Sequence, residues 1–166
     1  MTSASIPFWG RVKQFYRSLT AAPLKDSDLK YIQRYLSEQE RALFFQMDVM
    51  DQRHALEAAR YAYRAATARG LGHQRHLIVK AALLHDIGKV KGDLPLRARA
   101  KYTLFQPKPG KDQNKVWAAL KDHAQRGAHM AETFGTEPEV VRLIRGHHNP
   151  PQDEAARVLQ EADNLY

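Results

Sequence analysis

An apolar helix that ends in a histidine and an aspartate constrains this chain more than any other feature. In residues 81–89 (AALLHDIGK), apolar side chains lead at helical steps to His85, and Gly88 supplies a stop signal. Burying an unpaired carboxylate is costly, so Asp86 needs either a cation or a backbone segment to cap. Lys89 is long and mobile and is a poor sole partner. A metal ion and a capped backbone are the two explanations of this pair.

The rest of the chain reads as further helices. It contains no internal repeat and no strand-like alternation of any length, and its 166 residues suffice for one core. We therefore predict a single all-α domain of about seven to eight helices. The predicted helices are residues 7–19, 26–36, 37–47, 50–69, one ending near 85, 114–134, 136–147 and a last one from 152, and the loop at 90–113 contains a short helical turn at 96–105.

The composition limits the chemistry of any site. The absence of cysteine excludes disulfides, zinc–thiolate sites and cysteine nucleophiles, whereas eight histidines are available as ligands. Imidazole and carboxylate suit Fe, Mn or Zn better than Ca or Mg. No apolar run is long enough for a membrane span or a signal peptide, so we expect a cytoplasmic protein. The basic, aromatic helix at 7–19 either touches a membrane surface or packs on the domain.

Five histidines and two aspartates fall on helix faces or ends that the periodicity turns inward. A single inward histidine is usually a satisfied core residue, but seven such residues from five helices would each need a partner in a dry interior. One metal centre satisfies all of them. Because seven ligands exceed what one ion usually takes, we predict two divalent ions bridged by a carboxylate. The seven are His54, His85, Asp86, His123, His147, His148 and Asp163.

Positive charge is concentrated just beyond the His-Asp pair. Residues 89–126 contain ten Lys or Arg against three Asp, a balance of +7 within a net +8. Such a segment attracts anions, phosphates above all, although a solvated basic face is the commoner explanation. We assign Lys89 to substrate phosphate binding or leaving-group stabilisation, since its ammonium has no lone pair for a metal, and Arg97 and Arg99 to a weaker long-range attraction. The alternative for Lys89 is a solvated side chain at a helix end.

These residues resemble the HD-domain metal-dependent phosphohydrolases. The family signature His…His-Asp…Asp is matched over residues 50–166, and the phrase HDIGK is shared with the extended branch that includes HD-GYP phosphodiesterases and receptor-linked HD domains. That branch adds a further His and a His-His pair. The matching residues are His54, His85-Asp86 and Asp163 for the signature, with His123 and His147-His148 for the extension.

The resemblance implies two metals bridged by Asp86, one ion on His54, His85 and Asp163 and the other on His123, His147 and His148. Relatives of this type usually bind Fe or Mn, and Zn, Co or Ni can replace these metals in a purified sample. A hydroxide between the ions would attack phosphorus. The chain has only residues 149–151 (NPP) where HD-GYP proteins carry a long loop ending in Gly-Tyr-Pro. We expect residues 1–49 to form a helical extension packed on a metal-binding domain at 50–166.

Two classes of function follow. The first is hydrolysis of phosphoester or phosphoanhydride bonds in a nucleotide or cyclic dinucleotide. The second is a non-catalytic HD module that senses metal, redox state or a nucleotide. A nucleic-acid binder is a weaker third, because few aromatics (Tyr102, Phe105 and Trp117) interleave with the basic segment. The chain ends three residues after Asp163, so an oligomer in which a second subunit completes the pocket stays open.

Overall fold

The computed structural model describes residues 22–89 and 115–166, and in the second range it describes side chains from residue 122 onward. These residues form seven α-helices and no β-strand, as predicted. The predicted helix at 7–19 and the predicted helical turn at 96–105 lie outside the described residues. The helices are α1 (Asp26–Gln33), α2 (Glu38–Phe44), α3 (Val49–Ala68), α4 (Arg75–Leu84), α5 (Lys115–Thr133), α6 (Pro138–Gly146) and α7 (Glu154–Leu165).

The ends of α1 and α2 follow the local sequence. Residues 37–40 (SEQE) have the sequence of a capping box, and the structure forms it at the start of α2: the Glu40 amide donates to Ser37 Oγ at 3.2 Å, and the Ser37 amide donates to Glu40 Oε2 at 2.8 Å. Both helices end about three residues before their predicted limits at 36 and 47. Backbone turns continue the chain there, for example from the Met47 amide to the Phe44 carbonyl at 3.2 Å.

Helix α3 is the centre of the bundle. It packs on α4 and α7, which also pack on each other, while α6 packs on α4, and α5 packs on α6. Because α3 has neighbours on two sides, its buried face is broad, and His54 and Ala65 beside it are only partly buried. Small side chains on this face let the neighbouring helices approach closely. The fully buried alanines of α3 are Ala55, Ala58, Ala59, Ala62 and Ala66.

The first two helices share the hydrophobic core of the rest. Ile32 of α1 and Phe44 of α2 are fully buried in the same cluster as Leu83 of α4. Buried Asp28 of α1 also pairs with Arg53 and with a second arginine on α3. None of the described helices combines the length and hydrophobicity needed to cross a lipid bilayer.

Candidate metal centre

The structure brings the seven predicted ligands together from five helices. Helix α3 contributes His54 from its first half, and α5 contributes His123. The turn after α4 carries His85-Asp86, and the turn after α6 carries His147-His148, because each of those helices ends just before its ligand pair. Asp163 lies in the last turn of α7. Helix ends therefore place four of the seven side chains, and apolar helix faces orient the other three.

A first group consists of His54, His85 and Asp163, whose potential ligand atoms all lie within 4.8 Å of one another. Oδ1 of Asp163 lies 3.1 Å from Nε2 of His54 and 3.3 Å from Nε2 of His85. The three side chains come from α3, the end of α4 and α7. We call this group the first half-site.

A second group consists of His123, His147 and His148, and it satisfies the same 4.8 Å limit. Nε2 of His123 lies 3.3 Å from Nε2 of His147 and 3.1 Å from Nε2 of His148. His123 and His147 are buried, whereas the side chain of His148 is 49% exposed. We call this group the second half-site, and its exposed histidine marks the side of the centre that solvent reaches.

Asp86 lies between the two half-sites and is buried, with 1% of its surface exposed. Its Oδ2 atom lies 3.5 Å from Nε2 of His85 and 3.9 Å from Nε2 of His54. Its Oδ1 atom lies 3.2 Å from Nε2 of His123. One carboxylate thus presents one oxygen to each half-site, which is the arrangement that a bridging ligand requires.

Backbone carbonyls orient two of the histidines. Nδ1 of His85 lies 2.9 Å from the Ala82 carbonyl oxygen, and Nδ1 of His147 lies 2.7 Å from that of Ile144. A carbonyl only accepts, so Nδ1–H is the donor in both bonds. Nε2 is then the nitrogen that each ring turns toward the centre. Metal-binding histidines commonly have such a partner for the second ring nitrogen.

Two buried atoms of the centre lack a hydrogen-bond partner, namely Nε2 of His85 and Oδ1 of Asp86. Their contacts with Asp163 and His123 are short but do not have hydrogen-bond geometry. Buried polar atoms are rarely left unsatisfied, and an ion in each half-site would satisfy one of them. This observation and the nitrogen and oxygen donor set both fit a pair of divalent metal ions.

The electrostatics of the centre favour added positive charge. Burial opposes a charge on His85, but Asp86 and Asp163 raise the pKa of this imidazole to about 9. Burial lowers the pKa of His148 to about 4, and burial together with His85 lowers the pKa of His147 well below its ordinary value. The two carboxylates therefore attract a cation to the first half-site, and the second half-site offers neutral imidazoles.

Lys89 contacts the centre but is not a ligand. Its Nζ atom lies 2.7 Å from Oδ2 of Asp86. Burial disfavours its charge, yet Asp86, Asp51 and Asp163 raise its pKa, so it stays protonated. The sequence predicts that Lys89 is a poor sole partner for Asp86, and in the structure the lysine pairs with one oxygen of that carboxylate. The other oxygen is left to the second half-site.

Other predicted or available residues lie elsewhere. Arg97 and Arg99 fall outside the described residues. His129 is exposed, and the ring of His76 lies 5.1 Å from that of Tyr35, two residues after the end of α1.

Sequence reasoning missed the contact between α5 and the turn that carries Asp86. Gly88 in that turn touches the backbone of α5, and Arg126 of α5 hydrogen-bonds the Gly88 carbonyl. The sequence signal for this contact was Gly127, a glycine inside the helix predicted at 114–134.

Comparison with known proteins identifies the family. Searches of curated proteins and of solved structures give no significant match. A family model described as the HD domain matches residues 52–166, more than two thirds of the chain. The match includes all seven residues of the two half-sites and their bridge. The chain therefore belongs to the HD domain family, in the superfamily of metal-dependent phosphohydrolases.

Proposed function

We propose that the protein hydrolyses phosphoester or phosphoanhydride bonds of a nucleotide-like molecule with two divalent ions. The observation that carries the proposal is the position of Asp86, which presents Oδ2 to the first half-site and Oδ1 to the second. A single-ion site has no use for three additional histidines around the second oxygen. The extended ligand set therefore supports the two-ion branch of the family.

When bound, two such ions lower the pKa of water from 15.7 toward about 7 and neutralise charge that develops on phosphoryl oxygens. Asp86 holds the two half-sites in register. His85 and His147 keep their Nε2 atoms aimed at the centre through hydrogen bonds from Nδ1 to backbone carbonyls. Imidazole and carboxylate donors without thiolate suit Fe, Mn or Zn, and the resemblance to the extended branch favours Fe or Mn among these metals.

Lys89 supplies a positive charge beside the bridge. Its side chain is 21% exposed and its Nζ already lies 2.7 Å from Asp86, so it can reach a phosphoryl oxygen or a leaving group at the open side. The exposed side chain of His148 lies on an accessible part of the centre, where an anionic substrate can enter. Arg97 and Arg99 add a long-range attraction for that anion.

Metal analysis and an activity panel test the proposal. Purified protein should contain two ions per chain after loading with Fe(II) or Mn(II), and it should hydrolyse at least one member of a panel of cyclic and linear nucleotides. Asp86→Ala should lose metal and turnover together, while His129→Ala, the exposed histidine on α5, should keep both. A fully loaded protein that binds nucleotides without hydrolysing any of them would instead establish a sensory HD module.

A further inference from the structure

Arg126 of α5 hydrogen-bonds to the turn that carries the bridging aspartate. Its Nε atom donates to the carbonyl oxygen of Gly88 at 2.6 Å, and its Nη2 atom donates to the same oxygen. Gly88 follows Asp86 by two residues and lies beyond the end of α4 at Leu84. A carbonyl at a helix end has no partner within its own helix, so a cationic side chain is well suited to it.

The backbones of the turn and of α5 are in direct contact beside this hydrogen bond. A Cβ atom on Gly88 would overlap the carbonyl oxygen of His123 and would lie 2.8 Å from the amide nitrogen of Gly127. A Cβ on Gly127 would lie 3.1 Å from the Gly88 amide nitrogen. Gly88 and Gly127 thus allow the backbone of the turn to contact that of α5. A contact between two glycines does not by itself determine the position of α5 along the turn. Arg126 supplies directional bonds at this point.

The same part of α5 carries a ligand. His123 lies one helical turn before Arg126, and its Nε2 is 3.2 Å from Oδ1 of Asp86. The other two histidines of the second half-site follow α6, which packs on α4 as well as on α5. His123 is therefore the ligand whose position depends most on how α5 sits against residues 86–88.

We propose that Arg126 is a positioning residue that sets His123 against the bridging carboxylate and so makes the second half-site competent to bind its ion. The inference rests on the proposed two-ion function. The first half-site depends on α3, α4 and α7, which pack on one another. Loss of Arg126 should therefore lower the affinity of the second half-site for its ion and leave the affinity of the first half-site unchanged.

Stepwise binding of Mn(II) to the metal-free full-length chain tests this proposal. Isothermal titration calorimetry gives the two affinities, and electron paramagnetic resonance reports the coupled ion pair. Arg126→Ala should lower the affinity for the second ion by about 10- to 100-fold, as is usual when a residue that supports a metal ligand is lost. The affinity for the first ion should stay within about twofold of wild type. Arg126→Lys should rescue part of the loss. Arg157→Ala, which removes an exposed guanidinium paired with Glu154, should match wild type.

A double-mutant cycle with His123 separates positioning from general stability. If Arg126 acts through His123, Arg126→Ala should cause no further loss of the weak second-ion affinity that a His123→Ala chain retains in a titration at high Mn(II). If the two substitutions lower the second-ion affinity additively, the inference is overturned. It is also overturned if Arg126→Ala keeps wild-type affinity for both ions, or if it lowers both affinities equally. If Arg126→Ala does not fold, Arg126→Met replaces it as the test, because methionine keeps an aliphatic stem but cannot donate to Gly88, and wild-type affinity for the second ion in that chain overturns the inference.

The titration of the wild-type chain shows whether a negative result concerns the role of Arg126 or the proposed two-ion function on which that role depends. A wild-type chain that takes up a single Mn(II) ion overturns both the proposed two-ion function and the role of Arg126. Two ions in wild type with an unaltered second affinity in the Arg126 variants leave the proposed function intact and overturn the role of Arg126 alone.

Discussion

The ammonium of Lys80 lies 3.1 Å from Oε1 of Glu40 inside the protein, with both side chains at most 8% exposed. Lys80 also contacts the more exposed Glu137, which precedes α6, at 2.9 Å. Glu40 in turn accepts a hydrogen bond from Thr136 at 3.0 Å. Lys80 belongs to the helix that ends in His85-Asp86, so this cluster ties α2 and the start of α6 to the helix that delivers the bridge.

We predict that Lys80→Ala destabilises the fold by about 3 to 5 kcal/mol, because it leaves the carboxylate of Glu40 buried without its cation. Urea unfolding followed by circular dichroism measures the change. The control is Glu137→Ala, which removes a partner that is 45% exposed and should cost about 1 kcal/mol or less. Equal effects of the two substitutions would show that the buried contact has no special weight.

This cluster also marks a limit of sequence reasoning. The helical steps leading to His85, His123 and His147 were enough to expect that these side chains share an interior, and the structure brings them together. Whether they bind metal stays a prediction. By contrast, Lys80 lies within an apolar helix and gives no sign of its partner, because Glu40 is forty residues away in the chain.

The close contact between the backbone of the turn at 86–88 and that of α5 could not be predicted from the sequence either. A glycine in a helix pattern has several explanations, and only the packing of α5 on the turn at 86–88 shows that Gly88 and Gly127 touch. On α7, Val158 and Ala162 are fully buried beside Leu159, so this helix buries a broad face. Periodicity gives the direction of a face, but the number of neighbours determines its width.

Gly88→Ala should destabilise the protein by about 1 to 3 kcal/mol or more, because the added methyl group meets backbone atoms of α5 that cannot rotate away. Thermal unfolding measures the effect. Gly72→Ala is the matched control, since nothing lies within 4 Å of a Cβ at that position, and its effect should stay within about 0.5 kcal/mol. A Gly88→Ala chain as stable as wild type would show that α5 can shift without cost.

Asp28 should make stability depend on acid pH. Burial raises the pKa of its carboxyl, but hydrogen bonds from the Lys25 amide, Arg60 and Arg53 outweigh burial and lower the pKa below its ordinary value of 3.8. A pKa that is lower in the folded state stabilises the fold above the unfolded value, and this stabilisation is lost as pH falls through the folded value. The stability difference between wild type and Asp28→Asn should therefore be constant above about pH 5 and shrink below about pH 4.

Chemical unfolding at several pH values measures this difference. Asp26→Asn is a suitable control, because Asp26 is exposed at the start of the same helix and is not paired with Arg53 or Arg60 in the described structure. A difference for Asp28→Asn that does not change between about pH 6 and about pH 3 would contradict the assignment.

His123→Ala should reduce the metal content from two ions to one, because it removes a ligand of the second half-site and leaves His54, His85 and Asp163 in place. Turnover should fall with the second ion. Metal analysis after loading with Mn(II) and removal of free metal measures the content. His129→Ala on the same helix should keep two ions. Loss of both ions in His123→Ala would mean that the half-sites do not fill independently.

Lys89 offers the sharpest test of substrate chemistry. Its charge lies beside Asp86 but cannot bind a metal, so Lys89→Ala should keep both ions. If the ammonium stabilises the transition state, kcat and kcat/KM should fall together by about 100-fold or more, as when one preorganised charge contact is lost. Neutralising Arg97 and Arg99 should instead mainly raise KM and weaken its dependence on salt.

The controls separate catalysis from a lysine that merely favours a helix end. Lys30→Ala, an exposed lysine on α1, should leave kinetics and metal content unchanged. Metal analysis of Lys89→Ala is essential, because the side chain also pairs with Asp86, and a loss of metal would explain a loss of turnover without any contact to substrate. If Lys89→Ala retains both ions and its turnover of the best substrate stays within about twofold of wild type, the lysine only complements the helix dipole and the bridge, and its catalytic role is withdrawn.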